Sequence, residues 1–225
     1  MTMKPAADRG SPLSRRLVLR RMALGGAAAG ALMLALPRSA RAGAQIEEPL
    51  IDSVRNALSA AIHSNAPPQL EFQDTDSRLA YLRWLGEMSQ RLKRKIPGHQ
   101  ERLELLQTVW YESKRAGLDV SLVLGLIQVE SNFRKWAISS AGARGLMQVM
   151  PFWTRVIGDG DANQLFKMQP NLRFGCVILR HYLDRERGDL FMTLGRYNGS
   201  RGRAPYPDAI FANQRIYAFK DRAAA

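Results

Sequence analysis

The chain has a single cysteine, Cys176, among its 225 residues. One thiol excludes a disulfide within the chain and any zinc cluster built on several cysteines. It lies in the helical-looking run Phe174-Gly175-Cys176-Val177-Ile178 and reads as a small buried apolar residue, not as a nucleophile. The three histidines, His63, His99 and His181, show no metal-ligand spacing, so no metal and no cofactor is assigned. No long stretch alternates apolar and polar residues as a half-buried strand does. Internal repeats, low-complexity tracts and Ser- or Gly-rich spacers are also missing, and Pro67, Pro68, Pro97 and Gly98 read as turns and not as linkers. Acidic residues are few: 20 against 33 Lys and Arg, a formal charge of +13.

Much of that imbalance is at the start of the chain. Residues 1–42 carry eight bases and one acid, so residues 43–225 keep 25 bases and 19 acids, a formal +6. Within the first segment, Ser14-Arg15-Arg16-Leu17-Val18-Leu19-Arg20 has the form of a twin-arginine export motif, with Val18 where Phe is commoner and Arg20 where Lys is commoner. The apolar run 22–36 is shorter than the ~20 residues a bilayer span needs, and Ala40-Arg41-Ala42 supplies an A-x-A cleavage site. These features predict a cleaved signal segment over 1–42 and a periplasmic mature protein with no stable membrane span. Retention of the segment as an anchor is the alternative. A charge of +6 suits an anionic polymer such as cell wall and does not by itself exclude nucleic acid or an anionic membrane. Dispersed bases and the lack of any nucleic-acid fingerprint argue against nucleic acid.

Beyond residue 42, helical periodicity dominates. Ile51, Val54, Leu58, Ala61 and Ile62 mark one helix, stopped by Pro67-Pro68. A second is expected over 76–95 with Leu79, Leu82, Leu85, Met88 and Leu92 inward, and a third over 99–116, closed at Gly117. Further helices are expected over 119–133, from Phe152 to Gly158, over 170–186, from an Asp189 N-cap to Tyr197, and over 207–220 with Ile210, Ile216, Tyr217 and Phe219. Gly175 would let a neighbouring helix or loop come close. Asp159-Gly160-Asp161 lacks the longer ligand pattern of a calcium loop and is read as a turn.

The most informative stretch is 130–151, ESNFRKWAISSAGARGLMQVMP. Asp119 is placed to cap the preceding helix, and Val123, Leu126, Ile127 and Glu130 share a face. Glu130 thus ends an apolar stripe near the negative end of the helix dipole. Both conditions raise a carboxyl's pKa, as a general acid near neutral pH requires. A capping or ion-paired Glu is the structural alternative.

Glu130-Ser131, the run Gly-Leu-Met-Gln-x-x-Pro at 145–151, and Tyr197-Asn198-Gly199 occur in the order found in the lytic transglycosylases of the lysozyme-like superfamily. The chain resembles that family over about 118–219. The resemblance implies a mainly α, lysozyme-like (α+β superfamily) single catalytic domain over 118–225, with residues 43–117 packing on it as an N-terminal helical extension. It implies a peptidoglycan substrate whose muramoyl 2-acetamido group or 6-hydroxyl attacks the anomeric carbon, and a single acid, Glu130, which protonates the glycosidic oxygen and then, as carboxylate, takes the proton of the 6-hydroxyl to leave a 1,6-anhydro product. Ser139 and Gln148 would bond near the carboxyl and the acetamido group, Met150 would line the groove, Tyr197 would orient the acetamido group or steady developing charge, and Asn198 would hold the turn or a sugar hydroxyl. Met150 fits a core position equally, Asn198-Gly199 fits a plain turn, and Ser131 fits a brace for the helix end. The chain departs from the family at Arg134-Lys135-Trp136, Arg196 and Gly199-Ser200. Arg196, Arg201 and Arg203 make that edge basic, suiting lactyl and peptide carboxylates or simply solvent. A convincing second carboxyl is not evident, although Asp159, Asp161, Asp184, Glu186 and Asp189 are the candidates. The competing readings are a muramidase-type hydrolase and a non-catalytic cell-wall or secretion-system accessory module. Expected partners are glycan strands and cell-wall or secretion machinery, with the chain a monomer.

Overall fold

A computed structural model describes residues 45–63 and 70–221, so the export motif and cleavage site lie outside the described residues. Among the described residues there are eight α-helices: α1 (Asp52–His63), α2 (Thr75–Leu92), α3 (His99–Arg115), α4 (Val120–Glu130), α5 (Phe152–Ile157), α6 (Met168–Arg185), α7 (Leu190–Asn198) and α8 (Pro205–Tyr217), with a 3-10 turn at Ala162–Phe166 before α6. The β-pairing described is two isolated bridges, Ile138 to Arg144 and Arg144 to Val149. The mainly α class expected from the periodicity is what is seen.

Short acidic side chains fix where the helices start. Asp74, Asp119 and Asp189 accept from the backbone N–H groups of Ser77, Leu122 and Met192 at 2.7, 3.0 and 3.0 Å. Each satisfies a donor that the first helical turn leaves unpaired. The helix α4 is apolar almost all round and lies at the centre of the fold, with Val123, Leu124, Leu126 and Ile127 fully buried. It packs chiefly on α8. Gly125 makes that possible, since a Cβ there would meet the α8 backbone, Gln214 N at 2.8 Å and Ile210 O at 3.1 Å.

Around α4, α3 packs on α4 and α6, α7 on α6 and α8, and α2 on α3. The first helix lies on α5 and α6. Between α3 and α6, the buried Glu112 receives two hydrogen bonds from Arg173, at 3.0 and 3.1 Å. A charge this deep is tolerated only when paired and hydrogen-bonded.

One expected face is corrected. On α2, Leu79 and Leu82 are exposed, and Tyr81 and Trp84 are buried instead. These rings pack with Phe72 and Trp110 at centroid separations of 4.6–5.9 Å. Two stripes one or two positions apart both satisfy three-and-four spacing, and the larger aromatic area takes the inner place. On α8, Ile216 faces outward while Ile210 and Tyr217 are buried. That helix also begins two residues earlier than expected, with Pro205 in its first turn, which brings Tyr206 into the fold. No helix among the described residues is long and apolar enough to cross a membrane.

Candidate active site

The helix α4 stops at Glu130 because the chain reverses there. Asn132 and Phe133 both have positive φ, 50° and 64°, a conformation costly for a bulky residue such as Phe. Asn132 is held by two donors, Lys95 Nζ at 2.7 Å and Gln128 Nε2 at 2.8 Å. Ser131 is buried and its hydroxyl donates to Ile127 O at 3.2 Å, bracing the helix end as read from the sequence.

Glu130 itself is 6% exposed. Its Oε1 accepts a short hydrogen bond from the Tyr206 hydroxyl, and its buried Oε2 has no hydrogen-bond partner among the described residues. Burial pushes the carboxyl up to about 8, and the Tyr206 hydrogen bond pulls the other way. Burial and the neighbouring Glu130 hold the Tyr206 hydroxyl well above its ordinary range, so it stays a donor. A neutral carboxyl at neutral pH, fixed by one phenol, has the state and orientation a general acid needs. Tyr206 is a residue that sequence reasoning misses. It lies 76 residues from Glu130, and Ala204-Pro205-Tyr206-Pro207 signals only a helix start.

The loop after Glu130 is tied to the core from several sides. Gln148, buried and at φ +49°, donates both amide protons to backbone carbonyls, Gly145 O at 2.9 Å and Ala137 O at 3.1 Å. Met147 N donates to Asn171 Oδ1 at 2.8 Å, and Met147 packs on α6 at Gly175, where a Cβ would fall 2.3 Å from its sulfur. The close approach expected of Gly175 is therefore to this loop. Ser139 is half-buried and braces the loop tip, its Oγ accepting from Ala143 N at 3.0 Å. Met150 is partly buried against the core.

Tyr197 is fully buried, and its hydroxyl donates to Met147 O at 2.8 Å, joining α7 to the loop. Burial, then the Glu130 charge, raise it well above its usual range, so it too stays protonated. Asn198 donates to Ser200 Oγ at 3.2 Å in the turn that Gly199 makes at φ +75°. Its Oδ1 is buried and has no hydrogen-bond partner among the described residues. Of the residues read from the sequence, Gln148, Met150, Tyr197 and Asn198 belong to one connected loop-and-α7 assembly. Ser139 makes no direct bond to Glu130 among the described hydrogen bonds.

The other acids are engaged elsewhere. Asp159 accepts from Asp161 N, and Asp161 from Asn163 N, making the turn expected of that segment. Asp184 pairs with Arg180, Asp189 caps α7, and Glu186 pairs with Arg196 and Arg201. Arg196 and Arg201, read from the sequence as a basic edge for substrate carboxylates or solvent, are thus engaged with an acid of this chain. Arg196 Nε lies 2.6 Å from Glu186 Oε1 and its Nη1 lies 2.7 Å from Glu48 Oε1, while Arg201 Nη2 lies 2.8 Å from Glu186 Oε2.

Residues 107–215 match the family described as "Transglycosylase SLT domain". This segment, 109 of the 225 residues, is similar to a transglycosylase SLT domain. It begins within α3 and takes in Glu130, the tied loop, Tyr197 and Tyr206. The chain is 32% identical over 118 residues to the "Transglycosylase" of Enterobacteria phage PRD1, covering 49% of this chain and 43% of that protein. It is 42% identical over 85 residues to "Membrane-bound lytic murein transglycosylase C" of Glaesserella parasuis serovar 5 (strain SH0165), covering 37% of this chain and 22% of that protein. To the protein of that name from Histophilus somni (strain 2336) it is 60% identical over 103 residues, 39% of this chain and 28% of the relative. The SLT similarity therefore spans less than half the length of these relatives. Among solved structures, an inactive mutant of lytic transglycosylase Slt from Pseudomonas aeruginosa aligns at a TM-score of 0.46 and 23% identity, covering 62% of this chain and 29% of that one.

Proposed function

We propose that this chain is an exported peptidoglycan lytic transglycosylase that cleaves the MurNAc–GlcNAc β-1,4 bond without water. The observation that carries the reading is Glu130, a carboxyl at the end of a buried helix, raised to about 8 and oriented by Tyr206. The SLT match over residues 107–215 and the murein transglycosylase names of the relatives support the substrate class.

Glu130 gives its proton to the glycosidic oxygen as the bond to the anomeric carbon breaks. The resulting carboxylate takes the proton of the muramoyl 6-hydroxyl as that oxygen bonds to the anomeric carbon. Atoms balance with no water consumed, and the product is a 1,6-anhydromuramoyl sugar. Ordinary glycosidases flank the scissile bond with two carboxyls. The engagement of Asp159, Asp161, Asp184, Glu186 and Asp189 in turns, caps and ion pairs supports a route needing one. Ser139, Gln148, Met150, Tyr197 and Asn198 form the substrate-binding side. On this reading Gln148 and Tyr197 act largely by fixing the loop, since their protons go to backbone carbonyls. Residues 1–42 direct the protein to the periplasm, residues 43–117 form the helical extension, and residues 118–225 form the catalytic domain.

The deciding experiment is mass spectrometry of muropeptides released from purified cell wall. Anhydromuropeptides, one water lighter than the hydrolytic products, are expected. Reducing-end products alone would establish a muramidase, and no release at all would leave a binding module.

A further inference from the structure

Residues 45–48 precede the SLT segment by some sixty positions, yet they meet the site's loop and α7. Gln45 is 5% exposed, and its Oε1 accepts from Met150 N at 3.3 Å, two residues beyond Gln148. Its Nε2 is buried and has no hydrogen-bond partner among the described residues. Three residues on, Glu48 pairs with Arg196 at 2.7 Å, the residue just before Tyr197, and with Arg185 at the end of α6 at 2.5 Å. Glu186 holds Arg196 from its other side. Met147 and Tyr197 are joined directly by the tyrosine hydroxyl. One short stretch thus grips both partners of that joint, the loop at Met150 and α7 at Arg196.

The geometry points to residues 45–48 as a clamp that positions the site, with Gln45 and Glu48 as positioning residues for the Met147–Tyr197 joint beside Glu130. This rests on the transglycosylase reading for its effect on turnover, though not for its mechanical part. The clamp explains why Arg196 is tolerated before the Tyr-Asn pair: its charge is answered by Glu48 and Glu186. Losing Glu48 leaves Arg185 without the Glu48 contact and Arg196 held from one side only. Losing the Gln45 acceptor leaves the Met150 N–H without this partner. An unmet donor of that kind costs more than the hydrogen bond itself contributes.

The test uses the full chain carrying Gln45→Met, which keeps size and removes both polar atoms, Gln45→Glu, which restores an oxygen to Met150 N, and Glu48→Gln. Hydrogen exchange read by mass spectrometry should speed up in peptides spanning 147–152 and 194–199 for Gln45→Met and Glu48→Gln, and not in α2. At a temperature where every variant is folded, kcat/KM on purified cell wall should fall about tenfold for Gln45→Met, matching about 1.4 kcal/mol. Gln45→Glu should recover part of the exchange protection at 147–152. Glu48→Ala and Arg196→Ala should lose less together than the sum of their separate losses, as coupled neighbours do. Parent kcat and KM in both Gln45→Met and Glu48→Gln would overturn the proposal, as would unchanged exchange at both peptides. If the parent itself releases nothing from cell wall while exchange responds as described, the activity reading fails and the clamp stands.

Discussion

Glu130 is buried and Glu186 half-buried, and the first carboxyl is pushed up to about 8 while the second is held down to about 2. Depth of burial and partners together account for the difference. Glu186 lies between two guanidinium groups, which offset its desolvation and keep it charged. Glu130 has one phenol and apolar neighbours, so burial dominates and it keeps its proton. The same residue type is an anchor where cations surround it and an acid where they are absent. The fold thus separates the two roles by where it places arginine, which is abundant in this chain.

The sharpest way to break that comparison is Glu130→Gln. Turnover should fall by ~10²- to 10⁴-fold, the usual loss for acid–base catalysis, while binding to cell wall persists. The variant should also be more stable than the parent at pH 8. A carboxyl whose pKa is raised on folding costs stability progressively as pH climbs from about 4.5 to about 8, because the unfolded chain ionises first. The melting temperature at pH 8 should therefore rise by about 2–4 °C for each kcal/mol relieved, and the gain should vanish near pH 4. Parent-rate anhydromuropeptide release by this variant would falsify the role of Glu130.

Glu112→Ala should show the opposite profile, with no direct part in chemistry and a large structural cost. It leaves Arg173 without its main buried counter-ion, and breaking such a pair costs about 3–5 kcal/mol. Thermal unfolding at neutral pH measures it, and a melting temperature within a degree or two of the parent would contradict the assignment. Tyr206→Phe comes next. Losing a hydrogen bond between neutral partners costs about 0.5–1.5 kcal/mol, so turnover should drop by up to about tenfold. Because that bond lowers the carboxyl's pKa, its loss should shift the alkaline limb of the pH–rate profile upward from about 8. A limb that stays in place would show that the phenol does not set the acid. The smallest effect belongs to Glu186→Gln, at most about 1 kcal/mol per pair near the surface. A depressed carboxyl stabilises above its unfolded pKa, so the gap in melting temperature from the parent should be full at pH 6 and close as pH falls from about 4.5 to about 2.

How much of the molecule is legible in the sequence depends on the range of the interaction. Caps at Asp119 and Asp189, the turn at Asp159-Gly160-Asp161 and the close approach at Gly175 depend on nearby residues, and they are where the sequence places them. Glu130 is legible because a carboxyl ending an apolar stripe is a local pattern. Its partner is not, since a tyrosine 76 residues away acquires meaning only when α8 folds back along α4. The same holds for Glu48 and Arg196, 148 residues apart, whose pairing turns an apparent basic edge into an internal one. Face assignment fails on α2 because adjacent stripes are both apolar, and packing against Trp110 chooses between them.

Cys176, on α6 where α1 and α3 meet it, is fully buried, with its thiol pushed far up by burial. A thiol that is both covered and protonated reacts with an external reagent only when a helix packed on α6 lifts or the whole chain opens. Since it is the only one in the chain, every labelled molecule reports a single event. The protein therefore carries its own clock for opening at the α1–α6 seam. Its labelling rate, followed with denaturant, separates peeling of that helix, which depends weakly on denaturant, from global unfolding, which depends on it steeply.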